Sequence, residues 1–158
     1  MSDFPWAKRY PEGIPASISD PSHNNLLELF DECFDKYSTK EAYENMGKAM
    51  TYRDIDEQSR NFAAFLQGRF GLKKGDTIAL QMPNLLQYPI ALIGALRAGL
   101  IVVNTNPLYT PREMKHQFTD SGVKAVVIVA NFASNLEKIK EETGIEKVIV
   151  TGLGDLLG

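Results

Sequence analysis

Residues 77–104 read TIALQMPNLLQYPIALIGALRAGLIVVN, and this stretch decides the fold. Thr77 to Met82 is apolar and strand-like. Asn84 stands where a helix cap belongs, and Leu85 to Ala98 reads as the helix it would cap. Pro89 is tolerable there because it falls near the first turn. Gly99 ends the helix, and Leu100 to Val103 is apolar throughout. A short run without polar alternation, entered from a helix, predicts a strand covered on both faces.

The same unit repeats downstream. Thr110-Pro111-Arg112-Glu113 places a hydroxyl cap, a proline at the first helical position and a glutamate three residues on, a strong helix start. Ser121-Gly122 ends that helix, and Ala125 to Val129 is the next apolar strand. Ser134 to Glu137 has the spacing of a second capping box, which predicts a helix running to Gly144. Lys147 to Val150 closes the series. Four apolar strands separated by helices predict a parallel sheet with helices on both faces. The expected class is α/β, a three-layer sandwich with a mostly parallel sheet.

Upstream, Ala42–Glu44 and Ala49–Tyr52 flank Asn45-Met46-Gly47-Lys48, which reads as a β-hairpin with Gly47 free to take positive φ. Thr51 and Asp54 form a capping pair for a helix carrying Ile55, Phe62, Ala63, Leu66 and Phe70, with Gly71 as its stop. Leu26, Leu29, Phe30, Cys33, Phe34 and Tyr37 follow the spacing of an amphipathic helix, with Asn24 or Asn25 as its cap. Ahead of these, Pro5, Pro11, Gly13, Pro15 and Pro21 predict an irregular arm over 1–24. Residues 25–158 then form a single α/β domain.

Composition excludes several classes. The chain has 158 residues, 44% hydrophobic and 23% charged, with 17 Lys plus Arg against 20 Asp plus Glu. That balance suits an ordinary globular domain and argues against disorder and against a nucleic-acid partner. Cys33 is the only cysteine, so no internal disulfide forms, and its place on an apolar stripe predicts a buried core thiol. No apolar signal core appears near the start. The apolar segment Ile90–Val103 is shorter than the roughly 20 residues that span a bilayer, and Arg97 interrupts it. Arg97 is expected to serve structure, pairing with an acid or reaching out at the helix end.

In an open parallel sheet, ligands sit at the carboxyl ends of the strands. Here those ends carry Pro83-Asn84, Asn104-Thr105-Asn106-Pro107, Asn131 and Thr151-Gly152. These are neutral amides and turn residues, so their commonest role is capping and shaping turns. The sharper reading makes Asn84, Asn104 and Asn106 substrate-facing, lining a pocket completed elsewhere. Glycine-rich dinucleotide and Walker loops and the G-x-S-x-G elbow are absent. His23 and His116 are far apart in sequence, with no cluster of metal-ligand types around either. The residues therefore predict no catalytic, cofactor-binding or metal-ligating group.

One resemblance goes further. Met82-Pro83-Asn84-Leu85-Leu86-Gln87-Tyr88-Pro89-Ile90-Ala91-Leu92, then Leu96-Arg97-Ala98-Gly99, Val102-Val103-Asn104 and Asn106-Pro107-Leu108-Tyr109-Thr110-Pro111-Arg112-Glu113 resemble, in order and spacing, the N-terminal part of bacterial long-chain fatty acyl-CoA synthetases. These belong to the adenylate-forming superfamily. Trp6–Pro11, Asn45–Gly47, Met50–Tyr52, Leu72–Asp76 and Asp120–Gly122 also fit, so the resemblance covers nearly the whole chain. It implies a ligase that joins a fatty acid to coenzyme A through an acyl-adenylate, using ATP and magnesium. It also implies a cytoplasmic protein, with peripheral membrane association an expectation because the substrates partition into bilayers.

The family's Ser/Thr/Gly-rich phosphate loop, its later acidic ribose-binding residue and its C-terminal catalytic lysine have no counterpart in these residues. No residue here inherits a catalytic role from the resemblance. The chain is accordingly expected to be an N-terminal piece cut near Gly158, inactive and cofactor-free alone, with the rest of the ligase as partner. Its bared interface is expected to favour oligomers. The alternative is a stand-alone binding module of ligase ancestry.

Overall fold

The computed structural model describes residues 5–158 apart from 16 and 19. Residues 1–4 of the expected arm lie outside the described residues; the described part of the arm contains a 3-10 turn at Ala7–Arg9.

Helix α1 (Leu26–Tyr37) starts as its sequence directs, with the Asn25 side chain accepting the Glu28 N–H. Its inward face differs from the expected stripe. Phe34 is buried and Leu27 and Phe30 pack beside it, whereas Leu26 and Leu29 are exposed and Cys33 is half-buried rather than buried. Both stripes satisfy a 3.6-residue period, and packing against the two long helices that follow, with Met50 of the hairpin, selects between them.

Strands β1 (Glu41–Asn45) and β2 (Lys48–Thr51) form that antiparallel hairpin, with Asn45 opposite Lys48. Met46 and Gly47 both have positive φ, 51° and 79°, the backbone that a right-twisted two-residue hairpin loop requires.

Helix α2 (Tyr52–Gly68) opens with the expected reciprocal box: Thr51 Oγ1 accepts the Asp54 N–H, and Asp54 accepts the Thr51 N–H at 2.8 Å. The Thr51 hydroxyl also donates to Asp54 at 2.7 Å, and these donors hold the Asp54 carboxyl below its ordinary value. A lowered folded-state value contributes stability above the unfolded carboxylate pKa of about 4, and that stability is lost as pH falls through the folded value. Thr51→Ala should therefore cost about 1 kcal/mol near neutrality. It should also flatten the acid limb of the stability profile. Urea unfolding across the acid range reads both effects; an unchanged acid limb would contradict the assignment.

The main sheet holds β3 (Thr77–Gln81), β4 (Ile101–Asn104), β5 (Val123–Val129) and β6 (Lys147–Thr151) in the order β4-β3-β5-β6. Every pairing is parallel. Ile78, Leu80, Ala125, Val127 and Val129 face a core shared with α2 and with α3 (Gln87–Arg97). Ala79, Val126 and Ile128 face the opposite core, shared with α4 (Pro111–Asp120) and α5 (Ala133–Glu137). This alternation gives the expected three-layer α/β sandwich. A third cluster joins α1, the hairpin, α2 and α3 through Phe34, Met50, Ile55, Leu86, Ile90 and Ile93.

Three further expectations are corrected. Strand β4 is an edge strand: Ile101 is 55% exposed and Val102 and Val103 only half-buried, with no strand beyond it among the described residues. The expected helix from Ser134 to Gly144 is instead the five-residue α5 flanked by 3-10 turns at Ala130–Phe132 and Lys140–Glu142. Its N-cap is Phe132, without a side-chain bond, so the Ser134–Glu137 box does not form. Leu136 and Ile139 are three residues apart and both buried, a spacing that tight 3-10 geometry aligns. By contrast the Thr110–Glu113 box and Pro111 are found where expected, at the start of α4. Finally, α3 begins at Gln87 rather than Leu85, with N-cap Leu86 making no side-chain bond. Leu85 and Leu86 are both buried, and the turn that drives them into the core delays the helix. Asn84 therefore does not cap it.

Candidate functional site

The strand order reverses at the sheet's centre. From β3 the chain crosses α3 to β4 on one side, then crosses α4 back to β5 on the other. Such a switch point opens a crevice at the strands' carboxyl ends. The three asparagines predicted to face substrate all lie at this end, but they do different things.

Asn84 is exposed, and its main-chain carbonyl accepts the Asn45 side-chain N–H at 3.1 Å. It lines a cavity of about 410 Å³ between the hairpin, α1 and the start of α3, with Phe30, Tyr43, Tyr88, Pro89 and Leu92. Asn104, at the end of β4, accepts the Tyr88 hydroxyl at 2.9 Å on its side-chain oxygen. Tyr88 thus links Asn104 to the wall that contains Asn84. Asn106 is not part of this group. Its side-chain oxygen accepts the Leu108 N–H at 3.0 Å, closing its own turn, and its main-chain carbonyl accepts the Gln81 side chain at 3.3 Å.

Several polar groups here were not read from sequence. Tyr88 and Tyr43 belong to the cavity, and burial is the first cause raising the Tyr43 hydroxyl above its ordinary value, with Tyr52 and Tyr88 adding to it. Gln81 is fully buried on the central strand, and Thr105 is buried at the end of β4. A glutamine closing the otherwise apolar run Ile78–Leu80 was the one available signal for this polar patch. Tyr88 gave none, because its partner is set by the pairing of β3 with β4.

Among the described residues no three His, Cys, Asp or Glu side chains converge. The strand ends carry neutral amides, and the glycines that follow β6, Gly152, Gly154 and Gly158, do not have the spacing of a dinucleotide or Walker loop. His23 bonds Glu32 at 2.7 Å, beside α1, while His116 stands on α4 next to Arg112 and Glu113. No described helix is long and apolar enough to cross a membrane.

A family model described as AMP-binding enzyme matches residues 30–156. The chain belongs to the AMP-binding enzyme family. Over 152 residues this family member is 55% identical to the long-chain-fatty-acid–CoA ligase of Salmonella typhimurium, covering 96% of this chain and 27% of that protein. It is 34% identical over 157 residues to the long-chain-fatty-acid–CoA ligase of Bacillus subtilis, covering 99% of this chain and 28% of that protein. The crystal structure of a long-chain-fatty-acid–CoA ligase from Archaeoglobus fulgidus superposes with a TM-score of 0.78 and 25% identity, over 90% of this chain and 30% of that one. The chain spans little more than a quarter of the length of the curated relatives it matches.

Proposed function

We propose that this chain supplies the first α/β portion of a long-chain fatty acid–CoA ligase, an enzyme that converts a fatty acid, ATP and coenzyme A into acyl-CoA, AMP and pyrophosphate. The observation that carries the reading is the 55% identity to the Salmonella typhimurium ligase over 96% of this chain. Adenylation turns an unreactive carboxylate into a mixed anhydride with a good leaving group, and donors and magnesium offset the charge that builds on the phosphates. None of that machinery is assigned to these residues. Their part is to build one wall: Tyr88, held by Asn104, and Asn84 fix the mouth of the cavity beside α3. Asn106 shapes the turn that follows β4. The remainder of the ligase brings the nucleotide and coenzyme A sites, in the cytoplasm and with peripheral access to membrane-derived fatty acids.

The test is a chimaera in which these residues replace the matched segment of the Salmonella typhimurium enzyme. Fatty-acid-dependent exchange of pyrophosphate into ATP should appear in the chimaera and not in the 158-residue chain alone. A folded but silent chimaera would refute the reading, and exchange by the chain alone would refute its division of labour.

A further inference from the structure

The cavity of about 410 Å³ between the hairpin, α1 and the start of α3 has the size of a small-molecule site. Most of its lining is apolar, Phe30 and Leu92 with the buried Leu86 and Ile93. Its polar groups stand together. Tyr43, Glu44 and Asn45 come from the end of β1, Asn84 and Tyr88 from the start of α3. The bond from the Asn45 side chain to the Asn84 carbonyl, 3.1 Å long, joins the two sides. An apolar pocket with its polar groups gathered in one place suits an amphiphile, whose chain leaves water while its head keeps hydrogen bonds.

Charge and hydrogen-bond capacity narrow the head group. No lysine, arginine or histidine is among the lining residues, and the one ionised group is the exposed Glu44 carboxylate. An anionic head would meet repulsion there, with no cation to offset its lost hydration. The remaining capacity calls for both a donor and an acceptor. Asn45 gives its N–H to the Asn84 carbonyl, which can only accept, so the orientation of the amide is fixed. The Asn45 oxygen is buried and accepts no bond within the chain. It stands beside the exposed Met46–Gly47 turn, so a small outward shift of that turn opens it to an entering donor. Tyr88 donates its proton to Asn104 and keeps a lone pair. Tyr43, its hydroxyl held protonated, supplies a donor. A hydroxyl on the ligand meets both needs, donating to Asn45 and accepting from Tyr43, whereas an ammonium only donates.

We propose that this cavity binds an uncharged amphiphile, an apolar chain ending in a hydroxyl, of which a straight-chain alcohol is the simplest. The chain lies against Phe30, Leu86 and Leu92, and the hydroxyl sits between Asn45 and Tyr43. The site stands on the lining residues of this chain and does not rest on the ligase reading above. A segment of the remaining ligase is the competing occupant.

Titration of the chain with octanol, followed through its amide NMR shifts, tests this. The shifts should gather at Tyr43–Asn45 and Tyr88–Leu92. Octanoate, titrated as its anion, should bind at least about tenfold more weakly. Asn45→Leu should weaken octanol about fivefold by removing the acceptor. Leu92→Trp should abolish binding by filling the cavity; should it fail to fold, Asn45→Leu and the octanoate comparison decide the matter. Octanoate binding as tightly as octanol, shifts centred elsewhere or absent, or unchanged affinity in folded Asn45→Leu overturns the proposal. Octanol should bind the Salmonella chimaera as well. Binding by the isolated chain that is lost in the chimaera assigns the cavity to the ligase's own chain and also overturns it. A silent chimaera that binds octanol defeats the ligase reading while leaving this site in place; an active one that does not bind does the reverse.

Discussion

Gly94→Val is expected to lower stability by about 3 kcal/mol, near the upper end for overpacking a tight interface. Gly94 lies in α3 where that helix crosses α2. A Cβ built there would stand 2.8 Å from Phe62 Cδ1 and 2.9 Å from the Ser59 main-chain oxygen. The second contact is with backbone, so no rotamer change relieves it, and the two helices must separate. Their separation would also loosen Ala63, Leu66, Ala91 and Ala95, which lie in the same core. For a domain of this size the loss corresponds to a fall of roughly 10 °C in melting temperature. Gly68→Ala is the control: it lies at the end of α2 with nothing within 4 Å of the added carbon, so it should be neutral or slightly stabilising. Equal urea midpoints for the two variants would show that the helices do not meet as closely as described.

Arg97→Leu should produce the second large effect, about 2 kcal/mol. The guanidinium joins three helices. It donates to Asp31 of α1 at 2.8 Å, to Asp56 of α2 at 2.6 Å and to the Ser59 hydroxyl at 3.2 Å, and it lies 5.4 Å over the Phe34 ring. Its side chain is only 10% exposed, so it is desolvated and depends on these partners. Removing it leaves two carboxylates facing Arg60 alone, which bonds Asp56 at 2.9 Å and reaches Asp31 only at 3.7 Å. Asp31 is 49% and Asp56 24% exposed, so water takes up part of the loss and the cost stays below that of a fully buried pair. Adding Asp31→Asn and Asp56→Asn to the Arg97→Leu chain should recover part of the stability by removing the unpaired charge. A double-mutant cycle that finds no coupling between Arg97 and Asp56 would refute the network.

The features that were legible in the sequence share one property: their partners lie within a few residues. Thr51 with Asp54, Thr110 with Glu113 and Asn25 with Glu28 each satisfy helix-end donors that their own segment creates. The misreadings share the opposite property. Asn84 has the chemistry of a cap, but burial of Leu85 and Leu86 moves the helix start away from it. The Ser134–Glu137 spacing is equally plausible locally, and the demand to bury Leu136, Ile139 and Ile145 breaks that helix. The candidate site was legible only as a location. That asparagines crowd the strand ends follows from the sequence; that Tyr88 joins Asn104 to the Asn84 wall while Asn106 closes a turn does not.

Local hydrogen-bond geometry and the period of apolar residues therefore determined a parallel, helix-covered sheet from the sequence alone, because both act over a few residues and are indifferent to what lies across the molecule. Tertiary structure alone decided the strand order, the edge positions of β4 and β6, the partners of Arg97 and the inward face of α1. Those depend on which surfaces meet, and a repeating apolar code satisfies several arrangements until packing of side chains against specific neighbours admits one.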